Sequence, residues 1–179
     1  RFMDAITAEE VNRVPLDENF RTRFGNPYAV VHRADLHKEL VKACEEHDLI
    51  ELRVNSEVVG YDQDGASITA NLSSGDKVTG ELLVGADGLH SAVRAKLVGD
   101  GAPRVSGDST YRSVIPVDQM PESLRWNAAT LWMGPNCHLV HYPLSGSKVF
   151  NLVITKRNDA KEVVAGKPLS HEEVHANFD

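Results

Sequence analysis

The stretch "ELLVGADGLHSAVRAKL", Glu81 to Leu97, decides how this chain is read. An apolar run, Leu82-Leu83-Val84, stops at Gly85-Ala86-Asp87-Gly88 and restarts as a helix with Ser91 near its beginning and Arg94 one turn in. The run has lost the period-two alternation of a half-exposed strand, so it reads as a strand buried on both faces. Glycines let backbone come close to a ligand, and an aspartate accepts hydrogen bonds from ligand hydroxyls. The first turn of a helix carries unpaired N–H groups suited to a phosphate, and Arg94 adds a charge-assisted donor. The pattern therefore suits a polyhydroxylated, phosphate-bearing ligand. It also suits a tight strand-to-helix turn in which Asp87 only caps the helix, because short glycine motifs are weak by themselves.

Upstream of this turn the sequence alternates cleanly. In "ASITANLS", Ala66, Ile68, Ala70 and Leu72 fall on one face and Ser67, Thr69, Asn71 and Ser73 on the other. Asp64-Gly65 and Ser74-Gly75-Asp76 supply turns, so Glu57 to Leu83 reads as an antiparallel meander. Further back, "ADLHKELVKACEEHDL" has helical period, with Leu36, Leu40, Ala43 and Cys44 on one face, which makes Cys44 a core thiol. "NPYAVVHR" before it reads as extended, and "RFMDAITAEEVNRVPL" as two short strands about a turn at Thr7 to Glu10.

Downstream, "VGDGAPRVSGDS" is rich in Gly, Pro and Ser and marks a lobe boundary near residue 104. Four strand-like runs follow: "TYRSVIPV", "AATLWMG", "CHLVHYPL" and "KVFNLVIT", the last two joined by Ser145-Gly146-Ser147. The expected fold is α/β: residues 1–104 with an antiparallel meander inside a larger lobe, then residues 105–179 opening a mixed or antiparallel sheet. The chain begins at Arg1 inside a strand, and the capping box Ser170/Glu173 announces a helix cut short, so it reads as an internal piece of a longer protein.

Composition narrows the partners. With 19 Lys+Arg against 26 Asp+Glu the formal charge is −7, and no basic run follows a phosphate backbone, which argues against nucleic acid. No apolar stretch reads as a membrane span or a signal peptide. Two cysteines, Cys44 and Cys137, form neither a disulfide framework nor a metal-ligand spacing, in keeping with a reducing cytoplasm. His32, His37 and His47 lack the second cluster a metal site needs, and Trp126 and Trp132 read as packing residues.

Strand alternation in "NCHLVHYPL" puts His138, Val140 and Tyr142 on one face and Cys137, Leu139 and His141 on the other. A histidine titrating near neutrality and a phenolic hydroxyl on one strand face suit a phenolic substrate; they equally suit a half-buried structural histidine and a core tyrosine.

"GADGLHSAVR" resembles the internal Asp-Gly motif, small-x-Asp-Gly-x-x-Ser-x-x-Arg, of the single-component FAD-dependent aromatic hydroxylases. "FGNPYAVVHRADLHKEL" is similar to that family's strand and helix, and "YRSVIPVDQMPESLRWNAATLWMGPNCHLVHYPLSG" resembles the start of its substrate lobe in the 3-hydroxybenzoate 6-hydroxylase branch, with salicylate hydroxylases next. The resemblance, to which "DAITAE" adds, covers essentially the whole chain. It implies that residues 1–104 are the middle of a Rossmann-like FAD-binding lobe and 105–179 the first part of a substrate lobe. It implies FAD contacts from Arg33, Asp87, Gly88 and Arg94, and catalytic positions lining the substrate cavity at His138 and Tyr142. NADH or NADPH would be co-substrate, and one atom of O2 would pass to a monohydroxybenzoate, foremost 3-hydroxybenzoate to 2,5-dihydroxybenzoate. Salicylate or a hydroxypyridine carboxylate are the alternatives, and a homodimer is left open. The family's Gly-x-Gly-x-x-Gly turn and its second Gly-Asp motif are absent from the 179 residues, so the FAD site is expected to be incomplete and this stretch alone inactive. A non-enzymatic α/β ligand-binding or interaction module is the alternative of another class.

Overall fold

The computed structural model describes residues 1–176. Strands β1 (Phe2–Asp4) and β2 (Glu10–Asn12) pair antiparallel. The Asp4 carboxylate closes the turn by accepting from the backbone N–H of Ile6 at 2.7 Å and of Thr7 at 2.9 Å. Those donors, Thr7 first, hold its pKa below the usual carboxylate value.

A helix not foreseen from the sequence, α1 (Glu18–Phe24), follows. Its signals are local: Asp17 caps the start by accepting from Asn19 N at 3.0 Å, and Gly25 ends it in the left-handed conformation at φ 76°. Seven residues are too few for a hydrophobic period to register. "NPYAVVHR" forms no strand, since nothing among the described residues pairs with it. Helix α2 (Arg33–Glu45) forms as its period predicts, but Leu36 and Leu40 are exposed and Cys44 is only half-buried, so its apolar face has no cover among the described residues.

Two compact units result. One comprises Leu36–Arg104, the other Arg1–Asp35 with the chain from Val105 onward. In the first, β3 (Val58–Asp64), β4 (Ser67–Leu72) and β5 (Lys77–Gly80) make the expected antiparallel meander. Its polar face is tied by the Thr69 and Thr79 hydroxyls at 2.9 Å and by Asn71 Nδ2 donating to Asp62 at 2.9 Å. Helix α3 (Ala92–Val98) is fastened to β3 by Lys96, whose ammonium donates to the Tyr61 carbonyl and lies 4.7 Å from the Tyr61 ring centroid.

In the second unit β6 (Asp108–Pro116), β7 (Thr130–Met133), β8 (Cys137–Leu144) and β9 (Val149–Arg157) join β1 and β2 in one mixed sheet, ordered β2-β1-β7-β8-β9-β6. Neighbours are antiparallel except β1 and β7, which run parallel. Helix α4 (His171–Ala176) starts at the capping box: Glu173 N donates to Ser170 Oγ at 3.2 Å, and Ser170 N to the Glu173 carboxylate at 2.8 Å. No helix among the described residues is long and apolar enough to cross a membrane.

Only one face of this sheet is well covered. On it Met3, Thr130, His141 and Phe150 are buried, with Met120 from the connection before β7, while Leu144 is buried on the other face at the end of β8. His141 is 1% exposed, with the rings of Trp126, Trp132 and Phe150 at 6.0, 6.2 and 6.2 Å between centroids. Burial pushes its imidazole pKa below the ordinary value. The folded form thus binds fewer protons than the unfolded chain, and stability falls as pH drops below about 6.5, the ordinary histidine value. We expect the melting temperature to decline from pH 7.5 to 5.5, and His141→Phe to flatten that decline; an unchanged slope in the variant would contradict this.

Candidate functional site

The Asp87 turn is built by its own side chains. Leu82, Leu83 and Val84 form no strand, and Leu82 and Val84 are 80% and 75% exposed, contrary to the doubly buried strand expected. A central strand needs neighbours to pair with, and none of the described residues supplies one. Gly85 has a steric reason to be glycine: a Cβ placed there would sit 2.7 Å from Val93 Cβ. Gly88, at φ 77°, faces open space.

Asp87 organises the start of α3. Its carboxylate accepts from the Ser91 hydroxyl in a short hydrogen bond, from Ala92 N at 2.7 Å and from Val93 N at 3.3 Å. Ser91 Oγ in turn accepts from Arg94 N at 2.9 Å. The Ser91 hydroxyl, followed by the backbone donors, holds the Asp87 pKa below the usual carboxylate value. The N–H groups expected to await a phosphate are therefore taken, and the capping function of Asp87 is real. A carboxylate offers about four lone-pair directions, of which three are used, so one stays open to a ligand hydroxyl. Arg94 is ion-paired with Asp100. Arg33 opens α2, exposed and with no ion pair or hydrogen bond among the described residues. In Asp87→Ala we expect the amides of Ala92 and Val93 to exchange with solvent faster, read by hydrogen exchange; unchanged protection would refute the capping role.

His138 stands on the open face of the six-stranded sheet. Register places it between Met133 on β7 and Thr155 on β9, and places Val140 between Leu131 and Val153. An open groove of about 530 Å³ runs along this face, lined by His138, Val140, Leu131, Met133, Cys137 and Thr155, with Asp108 and Arg157 as its charged residues. Its aliphatic side chains offer a surface to a planar ring, and the His138 imidazole is part of the same lining. Tyr142 shares the face, one pair further along opposite Asn151, but does not line the groove. The structure thus brings His138 to a cavity and leaves Tyr142 beside it.

A second cavity of about 220 Å³ shares Leu131 and Val140 with the first and is closed by Val14, Leu16 and Tyr28. The sequence reading passed over Tyr28. Its signal was a phenol following Pro27 in a run with no period, which could be assigned to no face until the fold placed it.

A family model described as "FAD binding domain" matches residues 3–162. The chain is 54% identical, over 177 residues, to 3-hydroxybenzoate 6-hydroxylase 1 of Aquipseudomonas alcaligenes, covering 99% of this chain and 45% of that protein. Among solved structures it is similar to Klebsiella pneumoniae HpxO complexed with FAD and uric acid, with TM-score 0.76, 21% identity, and coverage of 99% of this chain and 43% of that one. A salicylate hydroxylase substrate complex gives TM-score 0.73 at 20% identity, covering 99% and 46%. At such identities the structural likeness is one of fold. The chain spans less than half the length of the relatives it matches. With the family model matching most of its length, the chain belongs to the FAD-binding domain family.

Proposed function

We propose that this chain is the middle part of an FAD- and NAD(P)H-dependent monooxygenase that converts 3-hydroxybenzoate to 2,5-dihydroxybenzoate. The observation that carries the reading is His138 at the edge of an aliphatic groove of ring-accommodating size, in a chain 54% identical to a protein of that name. The overall balance is one aromatic acid, O2, NAD(P)H and a proton giving the hydroxylated acid, water and NAD(P)+. Under this reading residues 1–104 belong to the cofactor lobe and 105–179 to the substrate lobe. The protein is cytoplasmic, its partners are the aromatic acid and O2, and a homodimer is compatible with it.

The residues present fit one edge of FAD. Within the unit Leu36–Arg104, Gly88 leaves the backbone approachable, Asp87 keeps an acceptor direction free and Arg94 supplies a cationic donor by exchanging its Asp100 partner; for Arg33, in the other unit, an FAD contact rests on the family resemblance alone. FAD, when bound, supplies the redox chemistry that activates oxygen. The chain's own part is to seat the ring on Leu131, Val140 and Met133 and to take the phenolic proton at His138. A phenol of pKa about 10 is mostly protonated at pH 7, and an imidazole is a base suited to that pH. Tyr142, on the same face but outside the groove's lining, is the second catalytic candidate, and it would reach only a substrate that extends beyond the groove.

The test is reduced-nicotinamide oxidation by the full-length parent protein loaded with FAD. The reading expects 3-hydroxybenzoate to stimulate oxidation of NADH or NADPH at least tenfold over the rate without substrate. A rate indifferent to every hydroxybenzoate tried, with FAD bound, would contradict it.

A further inference from the structure

Two polar atoms in the sheet core lack partners and sit opposite each other. Thr130 on β7 and His141 on β8 are a register pair, so their side chains project to the same face, the covered one. Thr130 is 0% and His141 1% exposed. Thr130 Oγ1 and His141 Nε2 are both buried with no hydrogen-bond partner. Buried polar groups are paired in nearly all folded proteins, and two adjacent exceptions call for one explanation. A threonine hydroxyl donates and a neutral imidazole nitrogen accepts. The rings of Trp126, Trp132 and Phe150 surround His141, and both atoms are shut off from bulk solvent.

We propose that Thr130 and His141 form a buried hydrogen-bonded lock through one internal water, which fixes the register of β8 on β7 and makes both positioning residues for the face carrying His138 and Tyr142. The proposal deepens the hydroxylase reading and rests on it for its catalytic consequence only.

The sequence shows why β8 needs such a lock. "CHLVHYPL" sets His138-Leu139-Val140-His141 in a row, so apolar side chains fall on both faces and a histidine falls on each. Hydrophobic alternation alone therefore specifies its register poorly. A slip by one residue would bring Val140 opposite Thr130, send His141 to the open face, and turn His138 and Tyr142 into the covered one. That slip exchanges an imidazole for an isopropyl group beside the threonine hydroxyl and leaves the hydroxyl buried without a partner. The penalty for an unmet buried polar group thus favours the observed register over its neighbour. Neutral His141, held so by burial, has the acceptor nitrogen the lock requires.

The test uses Thr130→Val and Thr130→Ser in the full-length protein. Val keeps the shape and removes the hydroxyl; Ser keeps the hydroxyl and removes a methyl group. The lock predicts that Thr130→Val raises the unfolding equilibrium constant about tenfold and that Thr130→Ser does so much less. It further predicts that Thr130→Val in a His141→Phe background adds little, because the partner is already gone. In turnover of 3-hydroxybenzoate, slipped molecules are inactive, so kcat falls in Thr130→Val at unchanged KM and returns in Thr130→Ser. A Thr130→Val protein as stable as wild type or more so, or one additive with His141→Phe, overturns the lock, because an isosteric methyl would then be as good as the hydroxyl. Absence of turnover in the wild type would overturn the hydroxylase reading, and the unfolding comparison would still decide the lock.

Discussion

His138→Ala is expected to lower kcat for 3-hydroxybenzoate at pH 7 by about 10²- to 10⁴-fold, the range general-base assistance contributes. At neutral pH roughly one phenol in a thousand is ionised without help, given a pKa near 10. Electrophilic oxygen transfer to the ring needs the electron density of the phenolate, so losing the base makes the rate follow that small fraction. The variant's rate should then rise with pH toward the phenol's own pKa, whereas the wild-type rate levels off earlier. KM should change little, because the proposed seat of the ring, Leu131, Met133 and Val140, is left intact. Steady-state kinetics from pH 6.5 to 9.5 on both proteins checks this. Equal kcat values, or parallel pH profiles, would remove His138 from the chemistry.

The second large effect is structural. Gly85→Val should destabilise the protein by about 1–3 kcal/mol, the usual cost of overpacking a close contact. Even Gly85→Ala puts a methyl carbon 2.7 Å from Val93 Cβ and 2.8 Å from Cγ1, so the turn or the start of α3 must shift. Asp87 bonds to the same helix start and would shift with it, so the variant should also bind FAD more weakly. Val93→Ala removes Cγ1 and Cγ2 but keeps the Cβ at 2.7 Å, so it should restore only part of the loss in Gly85→Ala. Denaturation of the two singles and the double measures this; additive effects would show that the contact is not the cause.

What could be read in the sequence was whatever depends on near neighbours. The meander from β3 to β5, the hairpin of β8 and β9 through Ser145-Gly146-Ser147, and the two faces of β8 follow from turn residues and period-two alternation, and all appear in the fold. The parallel pairing of β1 with β7 is a contact between residues far apart in the chain, and no local pattern encodes it. Helix α1 was missed although Asp17 and Gly25 marked its ends, because a helix of one and a half to two turns carries no measurable period. Leu82 to Val84 has the composition of a doubly buried strand and yet lies exposed, since burial depends on partners that composition does not reveal.

The site divides in the same way. Asp87 was legible as important, but its dual character was not: the capping bonds to Ala92 and Val93 depend on a turn geometry set by Gly85 and Gly88. His138 was legible from strand parity, and the groove beside it required the register of β7 and β9. Tyr28 reaches Val140 only through the fold. The Thr130–His141 pair is invisible in sequence because each residue is ordinary and only their opposition is informative.

The most direct measurement is identification of the product formed by the FAD-loaded full-length protein from 3-hydroxybenzoate and, separately, from salicylate. The account predicts 2,5-dihydroxybenzoate from 3-hydroxybenzoate, formed in step with nicotinamide oxidation. Catechol from salicylate with no hydroxylation of 3-hydroxybenzoate, or nicotinamide oxidation that yields no hydroxylated ring at all, would contradict it.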